Sequence, residues 1–261
     1  MNAETLGALW ANVLARKEVL SHLSEDVIER AYRLWIRPGD VAVDVGANIG
    51  RHTLPLAEAV GEAGHVYAFE PLPEMIMKLT SRVTASGLAQ RITLKQMAIG
   101  DRIGTADFHF IHKAPAMSGL KLRHGLPEGT KTDVRQVSLA TLDELLGDRL
   151  LRFVKIDVEG AEFSVMRGAS LLMTRARPAF AFEDGRYGSA QLYGYKMSEF
   201  YDFFKSKNYL IVDLFGFPIS DEMSKYAGPW NFFAIPNEAL PEFGQIVVYA
   251  GLYETWLRMK G

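Results

Sequence analysis

The stretch Val41-Ala42-Val43-Asp44-Val45-Gly46-Ala47-Asn48-Ile49-Gly50 decides the fold. Its first half is a short apolar run of the kind that makes a buried strand. Its second half is small and glycine-bearing, and from Thr53 a helical pattern follows with Leu54, Leu56, Ala57 and Val60. A strand that ends in a glycine turn and opens a helix exposes backbone N–H groups where a ligand can approach closely. A small-molecule site is expected here.

Downstream the same rhythm repeats. His65–Phe69 reads as a second strand ending at Glu70-Pro71, residues 73–86 as a helix, and 91–99 as a third strand. Phe153–Asp157 and Pro178–Phe182 read as further buried strands, with a helix from the acids after Asp157 to about Leu172. Helix 198–207 and strands Tyr209–Phe215 and Phe232–Ile235 complete the pattern. Alternation of β and α elements argues for a parallel sheet with helices on both faces.

Three segments stand outside it. Residues 1–37 read as a helical extension of two amphipathic helices, covering an edge of the domain or one side of its pocket, and 38–261 as the α/β domain. An insert over 104–137 carries two antiparallel-type strands around a long basic, glycine- and proline-bearing connection, read either as a surface excursion or as a lid. Residues 237–261 form a helical or irregular appendage. The loop at 185–196, with Tyr187, Tyr193 and Tyr195 between glycines, reads as a mobile aromatic lid.

Bulk composition narrows the class. The chain has 261 residues, 48% hydrophobic and 23% charged, with a formal net charge of −2. That balance gives no support for a nucleic-acid partner. The absence of cysteine excludes disulfides, thiol nucleophiles and cysteine-ligated metals. No run reaches the ~18 apolar residues of a membrane span, and the first twenty residues lack the layout of a signal peptide. The expectation is a cytoplasmic enzyme or binding protein, with its oligomeric state left open.

Glu70 follows Gly46 by 24 residues at the end of the second strand, where a carboxylate can accept from both ribose hydroxyls. A dinucleotide and S-adenosylmethionine both fit that description. The dinucleotide fingerprint requires three glycines, and Gly46, Asn48 and Arg51 occupy their positions. S-adenosylmethionine has no phosphate, and its positive charges suit an acid such as Asp44 near the turn.

VDVGANIGRHTLPLA, VYAFEP, MAIGD and above all FVKIDVEGAEFSVMRGA resemble the FkbM-type family of methyltransferases over roughly residues 39–184. The resemblance implies a class I S-adenosylmethionine-dependent methyltransferase: a Rossmann-like, seven-stranded mixed sheet whose last strand is antiparallel. It implies O-methylation, most often of a hydroxyl on a sugar, glycan or secondary metabolite. Carried over by position, Asp44, Gly46, Ala47, Asn48 and Gly50 would line the methionine part of the cofactor. Glu70 would take the ribose with Pro71 shaping the turn, Met97 and Ala98 would flank the adenine, and Asp157 would face donor and acceptor.

An unassisted hydroxyl is a poor nucleophile at neutral pH, so a base or a metal is required. Asp157, Glu159, Glu162, Glu183 and Asp184 gather at two strand ends. In one version Asp157, Glu183 or a histidine is the base, His112 and His124 being the histidine candidates. In the other, Asp157, Glu183 and Asp184 hold Mg²⁺. That placement is similar to the catechol O-methyltransferase family, although Gly160 stands where that family has a lysine. Lys155 reads either as a catalytic group or as the partner of a buried carboxylate. Glu159 and Glu162 double as charges on a first helical turn. His52 reads as a solvated helix start or a neighbour of the cofactor. N- or carboxyl-methylation and a Rossmann-type oxidoreductase are the alternative activities.

Overall fold

The computed structural model describes residues 23–123, 125–221 and 230–260. The first of the two N-terminal helices and His124 lie outside these residues.

Seven strands form one sheet: β1 (Val41–Val45), β2 (His65–Phe69), β3 (Ile92–Lys95), β7 (Leu151–Ile156), β8 (Ala179–Glu183), β9 (Tyr209–Asp213) and β10 (Asn231–Pro236). They lie in the order β3-β2-β1-β7-β8-β10-β9, with β10 antiparallel to both neighbours and the pairs among the first five parallel. This is the expected mixed sheet. The central strands are apolar on both sides because both faces are covered.

One face packs under helix α1 (Leu23–Trp35), α2 (Thr53–Ala59) and α3 (Pro73–Ser86), together with the C-terminal helix α9 (Gln245–Lys260). Val27, Ile28, Ala31 and Trp35 recur at helical spacing on α1, which turns that stripe onto Ala42, Phe153 and Phe233. Helices α1 and α9 run antiparallel, joined by Arg30–Glu254 (2.5 Å) and by an Arg258–Asp26 ion pair. The other face is covered by α4 (Leu142–Leu146), α5 (Glu162–Arg167), α6 (Ser170–Arg175), α7 (Arg186–Tyr193) and α8 (Met197–Ser206).

Three expectations change. The strand read over 91–99 breaks after Lys95, where Met97 N–H turns back to the Lys95 carbonyl (3.1 Å). Ala98–Ile99 then leaves the main sheet as β4 and pairs with β6 (Thr132–Ala140), which pairs with β5 (Gly104–Ile111). The helix read to Leu172 is two helices, α5 and α6. Gly168 between them lies so close to the Gly100 carbonyl that a Cβ would stand 1.9 Å from its oxygen. The stretch read as an aromatic lid is mostly helix α7, closed by Gly194 at φ 73°. Tyr195 packs on Phe163 (4.9 Å) in the core instead of standing free. The appendage is helical as expected, with a 3-10 turn at Asn237–Ala239 and a π turn at Leu240–Gly244 leading into α9. No helix among the described residues is long and apolar enough to cross a membrane.

Candidate functional site

The glycine turn closes the end of β1. Gly46, Asn48 and Gly50 have φ of 82°, 47° and 87°, and Gly46 and Ala47 both donate to the Phe69 carbonyl (2.9 Å each). A Cβ on Gly46 would lie 1.8 Å from the Asp157 carbonyl oxygen, so only glycine lets the two chain segments meet. Asp44 sits buried behind the turn, accepting from Thr53 Oγ1 (2.6 Å), and burial raises its pKa. Glu70 accepts from the backbone N–H groups of Leu72 and Asn48 (2.9 Å each). Burial outweighs those donors and pushes Glu70 up to about 7.

A cleft partly open to solvent lies at these strand ends. Gly46, Asn48, Glu70, Pro71, Met97 and Ala98 form its sheet-side wall, and Asp157, Val158 and Glu159 its inner end. Asp44, Ala47 and Gly50 shape the turn from behind and do not reach the cleft. The insert supplies the facing wall through Phe108, Pro115, Ser118 and Leu120. Ile111 N–H donates to Ser118 Oγ (2.9 Å), folding the chain back over the opening. It then crosses to α7: Lys121 Nζ donates to the Leu192 carbonyl (2.8 Å), and Arg123 pairs with Glu159 (3.1 Å). The insert is therefore a wall of the cleft, not a distant surface excursion.

The acids divide by sheet face. Lys155 and Asp157 alternate onto the face under α1, and so does Glu183, because Ile156 pairs with Phe182. Lys155 is fully buried, with Nζ 3.6 Å from an Asp157 carboxylate oxygen. Burial works to lower its pKa, and Asp157, Glu25, Asp44 and Glu183 outweigh burial and raise it. Burial and then the Asp157 charge push Glu183 up to about 7. Burial, with Asp157 and Glu183, does the same for Glu159. Glu162 is buried and accepts from Val158 N–H (3.0 Å) and Gly160 N–H (3.2 Å); burial takes it up to about 8.

Asp184 is one residue further along and projects to the opposite face, where its charge is felt by Tyr195. Asp157, Glu183 and Asp184 therefore do not converge. Among the described residues no three histidine or acidic groups stand where they could hold a metal ion. The cation beside Asp157 is the Lys155 ammonium, so the expected Mg²⁺ set does not fit.

His112 and His52 are engaged elsewhere. His112 Nε2 bonds Asp133 (2.6 Å) at the far end of the β5–β6 hairpin, against Phe110, and does not line the cleft. His52 is buried, with Nε2 against Glu25 (2.5 Å) and Nδ1 against the Tyr32 hydroxyl (3.3 Å). Neither ring nitrogen is left for a substrate. Sequence reasoning passed over Glu25, Arg123 and Asn231. Glu25 looks like any acid on a first helical turn, and only the packing of α1 over the strand ends distinguishes it.

The profile of the methyltransferase FkbM domain matches residues 44–211. The 31-O-demethyl-FK506 methyltransferase FkbM of Streptomyces tacrolimicus is 31% identical over 160 residues, 51% of this chain and 60% of that protein. Methyltransferase 1 of Beauveria bassiana is 25% identical over 179 residues, 62% of this chain and 71% of that one. Among solved structures, methyltransferase FkbM from Methylobacillus flagellatus KT shares 16% identity at a TM-score of 0.47, covering 86% of this chain and 60% of that chain. The chain thus spans less than two thirds of the length of the Streptomyces relative.

Proposed function

The chain belongs to the methyltransferase FkbM family, and on that footing we propose that it is an S-adenosylmethionine-dependent methyltransferase acting on a hydroxyl of a sugar, glycan or secondary metabolite. The observation that carries this reading is the meeting of the Gly46 turn, the Glu70 carboxylate and Asp157 around one cleft. Gly46 and Asn48 would hold the methionine end. Each Glu70 oxygen has a lone pair beyond the one taken by backbone N–H, enough for the ribose hydroxyls. Met97 and Ala98 on one side, with Phe108 and Leu120 on the other, offer an apolar slot for the adenine. Bound there, S-adenosylmethionine supplies an electrophilic methyl group on a sulfonium.

Asp157, held by Lys155, offers negative charge at the cleft's inner end. Glu183, level with Asp157 on the neighbouring strand and on the same sheet face, stands one strand beyond the residues that line the cleft and is the proposed proton acceptor for the attacking hydroxyl. A base with a pKa near 7 is half ionised at neutral pH and still strong enough to take a proton. Lys155 keeps Asp157 in place and supplies the site's cation, so no step is assigned to a metal. His112 has no part in the step.

Calorimetry tests the donor: S-adenosylmethionine binds and NAD does not, and the reverse result overturns the reading. Transfer of a labelled methyl group into a panel of hydroxylated acceptors tests the reaction. Glu183→Gln should lower kcat by roughly 10²–10⁴-fold and remove the rise in rate as pH passes through about 7. Unchanged turnover would take Glu183 out of the mechanism.

A further inference from the structure

Strands β8 and β10 meet at the side of the site away from the glycine turn. Their register sets Asn231 directly opposite Glu183. Directly opposed residues of an antiparallel pair project from one face, with Cβ atoms about 4.5–5.5 Å apart. Asp157, Glu183 and Asn231 therefore form a row across the ends of three adjacent strands, on the face that α1 covers. Glu25 is in the first turn of α1, the helix that covers this face, and its charge is felt by Lys155 and Glu183.

Asn231 is the unusual member. It is 8% exposed, and its carboxamide oxygen has no hydrogen-bond partner among the described residues. A buried acceptor left unpaired in a native protein calls for a donor from elsewhere. Glu25 gives one carboxylate oxygen to His52 (2.5 Å). The Glu183 and Glu25 carboxylates and the Asn231 carboxamide oxygen are hydrogen-bond acceptors, and the Asn231 NH2 adds donors beside them. A ligand that satisfies them must bring several donors close together, as adjacent hydroxyls do.

We infer that Asn231 and Glu25 form a recognition subsite for a second hydroxyl of the acceptor, flanking the one that reacts at Glu183, so that the acceptor is a polyol. This rests on the O-methyl-transfer reading. Both residues lie outside the stretch that the family profile matches.

The first test is NMR of protein loaded with S-adenosylhomocysteine, titrated with methyl glucoside as the polyol and ethanolamine as a cationic contrast. The Asn231 side-chain amide resonances, identified by their loss in Asn231→Leu, should shift and saturate with methyl glucoside. No shift at millimolar concentration, or a shift with ethanolamine alone, overturns the proposal. The second test is kinetic, on the best acceptor of the hydroxylated panel. Asn231→Leu should raise the acceptor KM about tenfold, the loss of one hydrogen bond in a dry site, with kcat and S-adenosylhomocysteine affinity close to wild type. Asn231→Ser serves if the leucine variant does not fold. An unchanged KM, or a matching fall in S-adenosylhomocysteine affinity, rejects the subsite. Failure of the wild type to bind S-adenosylhomocysteine overturns the cofactor reading, and the subsite falls with it.

Discussion

At the scale of single residues, Gly46 is the position with least freedom. Its φ of 82° is in the left-handed region, and a Cβ there would meet the Asp157 carbonyl at 1.8 Å. The backbone penalty alone is about 1–2 kcal/mol, and relieving the clash means parting the ends of β1 and β7. Gly46→Ala should therefore lower the melting temperature and abolish S-adenosylhomocysteine binding, both read on one purified sample. Gly50 also has positive φ, but its Cβ would meet only the flexible tip of Leu79, at 2.5 Å. Gly50→Ala should be the milder change, and a reversed ranking would refute the role given to the Asp157 contact. The turn and Glu70 were legible because their chemistry is local: spacing along one chain sets it. Asp157 and Glu183 were legible as strand-end acids. Which of them share a face was not, since that follows from the register between β7 and β8. The metal reading failed for a different and local reason: Glu183 and Asp184 are adjacent in sequence, and adjacent residues of a strand face opposite ways.

At the scale of elements, the insert and α1 carry what the sequence left open. The β5–β6 hairpin expresses a plain alternating pattern, and Phe108 and Phe110 turn inward with Leu72 and Met75. Its connection is irregular, so no periodicity announces that Pro115, Ser118 and Leu120 come back over the cleft. Leu120→Ala should weaken S-adenosylhomocysteine binding about fivefold by calorimetry, the effect of roughly 1 kcal/mol of lost apolar contact. Unaltered affinity would show that the insert does not touch the cofactor. Sequence also mistook α7 for a loop, because its glycines and tyrosines lack helical propensity. Packing of Tyr195 and Ala190 against the α5–α8 layer overrides that preference. The split between α5 and α6 was hidden because Gly168 is there for its contact with Gly100, a reason with no signature in its own neighbourhood.

At the scale of the whole molecule, α1 and α9 join the first and last described elements into one cover over the sheet. Phe243 is the pin of this cover, fully buried with ring centroids 4.8 Å from Trp35 and 5.7 Å from Phe233. Phe243→Ala should cost about 3–5 kcal/mol, seen as an earlier urea midpoint, because the cavity would open between three elements that cannot all collapse into it.

The charge layout gives the molecule a second global property. Glu70, Glu159 and Glu183 are pushed up to about 7, and Glu162 to about 8, chiefly by burial. A carboxyl with a raised folded-state pKa binds its proton more tightly when folded than when unfolded. Its favourable contribution is complete below the ordinary value of 4.5 and is lost as pH rises toward the folded value. Stability should therefore decline between about pH 4.5 and 8, opposite to the trend for a salt-bridged acid such as Glu25, drawn down to about 2 where its His52 hydrogen bond and nearby cations outweigh burial. Glu162 isolates the effect, since it is buried outside the cleft lining and holds backbone N–H groups, its own and those of Val158 and Gly160. Glutamine keeps an oxygen for those donors and has no proton to lose. Glu162→Gln should match the wild type in urea near pH 5 and exceed it near pH 8, while a constant difference across that range would mean that Glu162 does not titrate there.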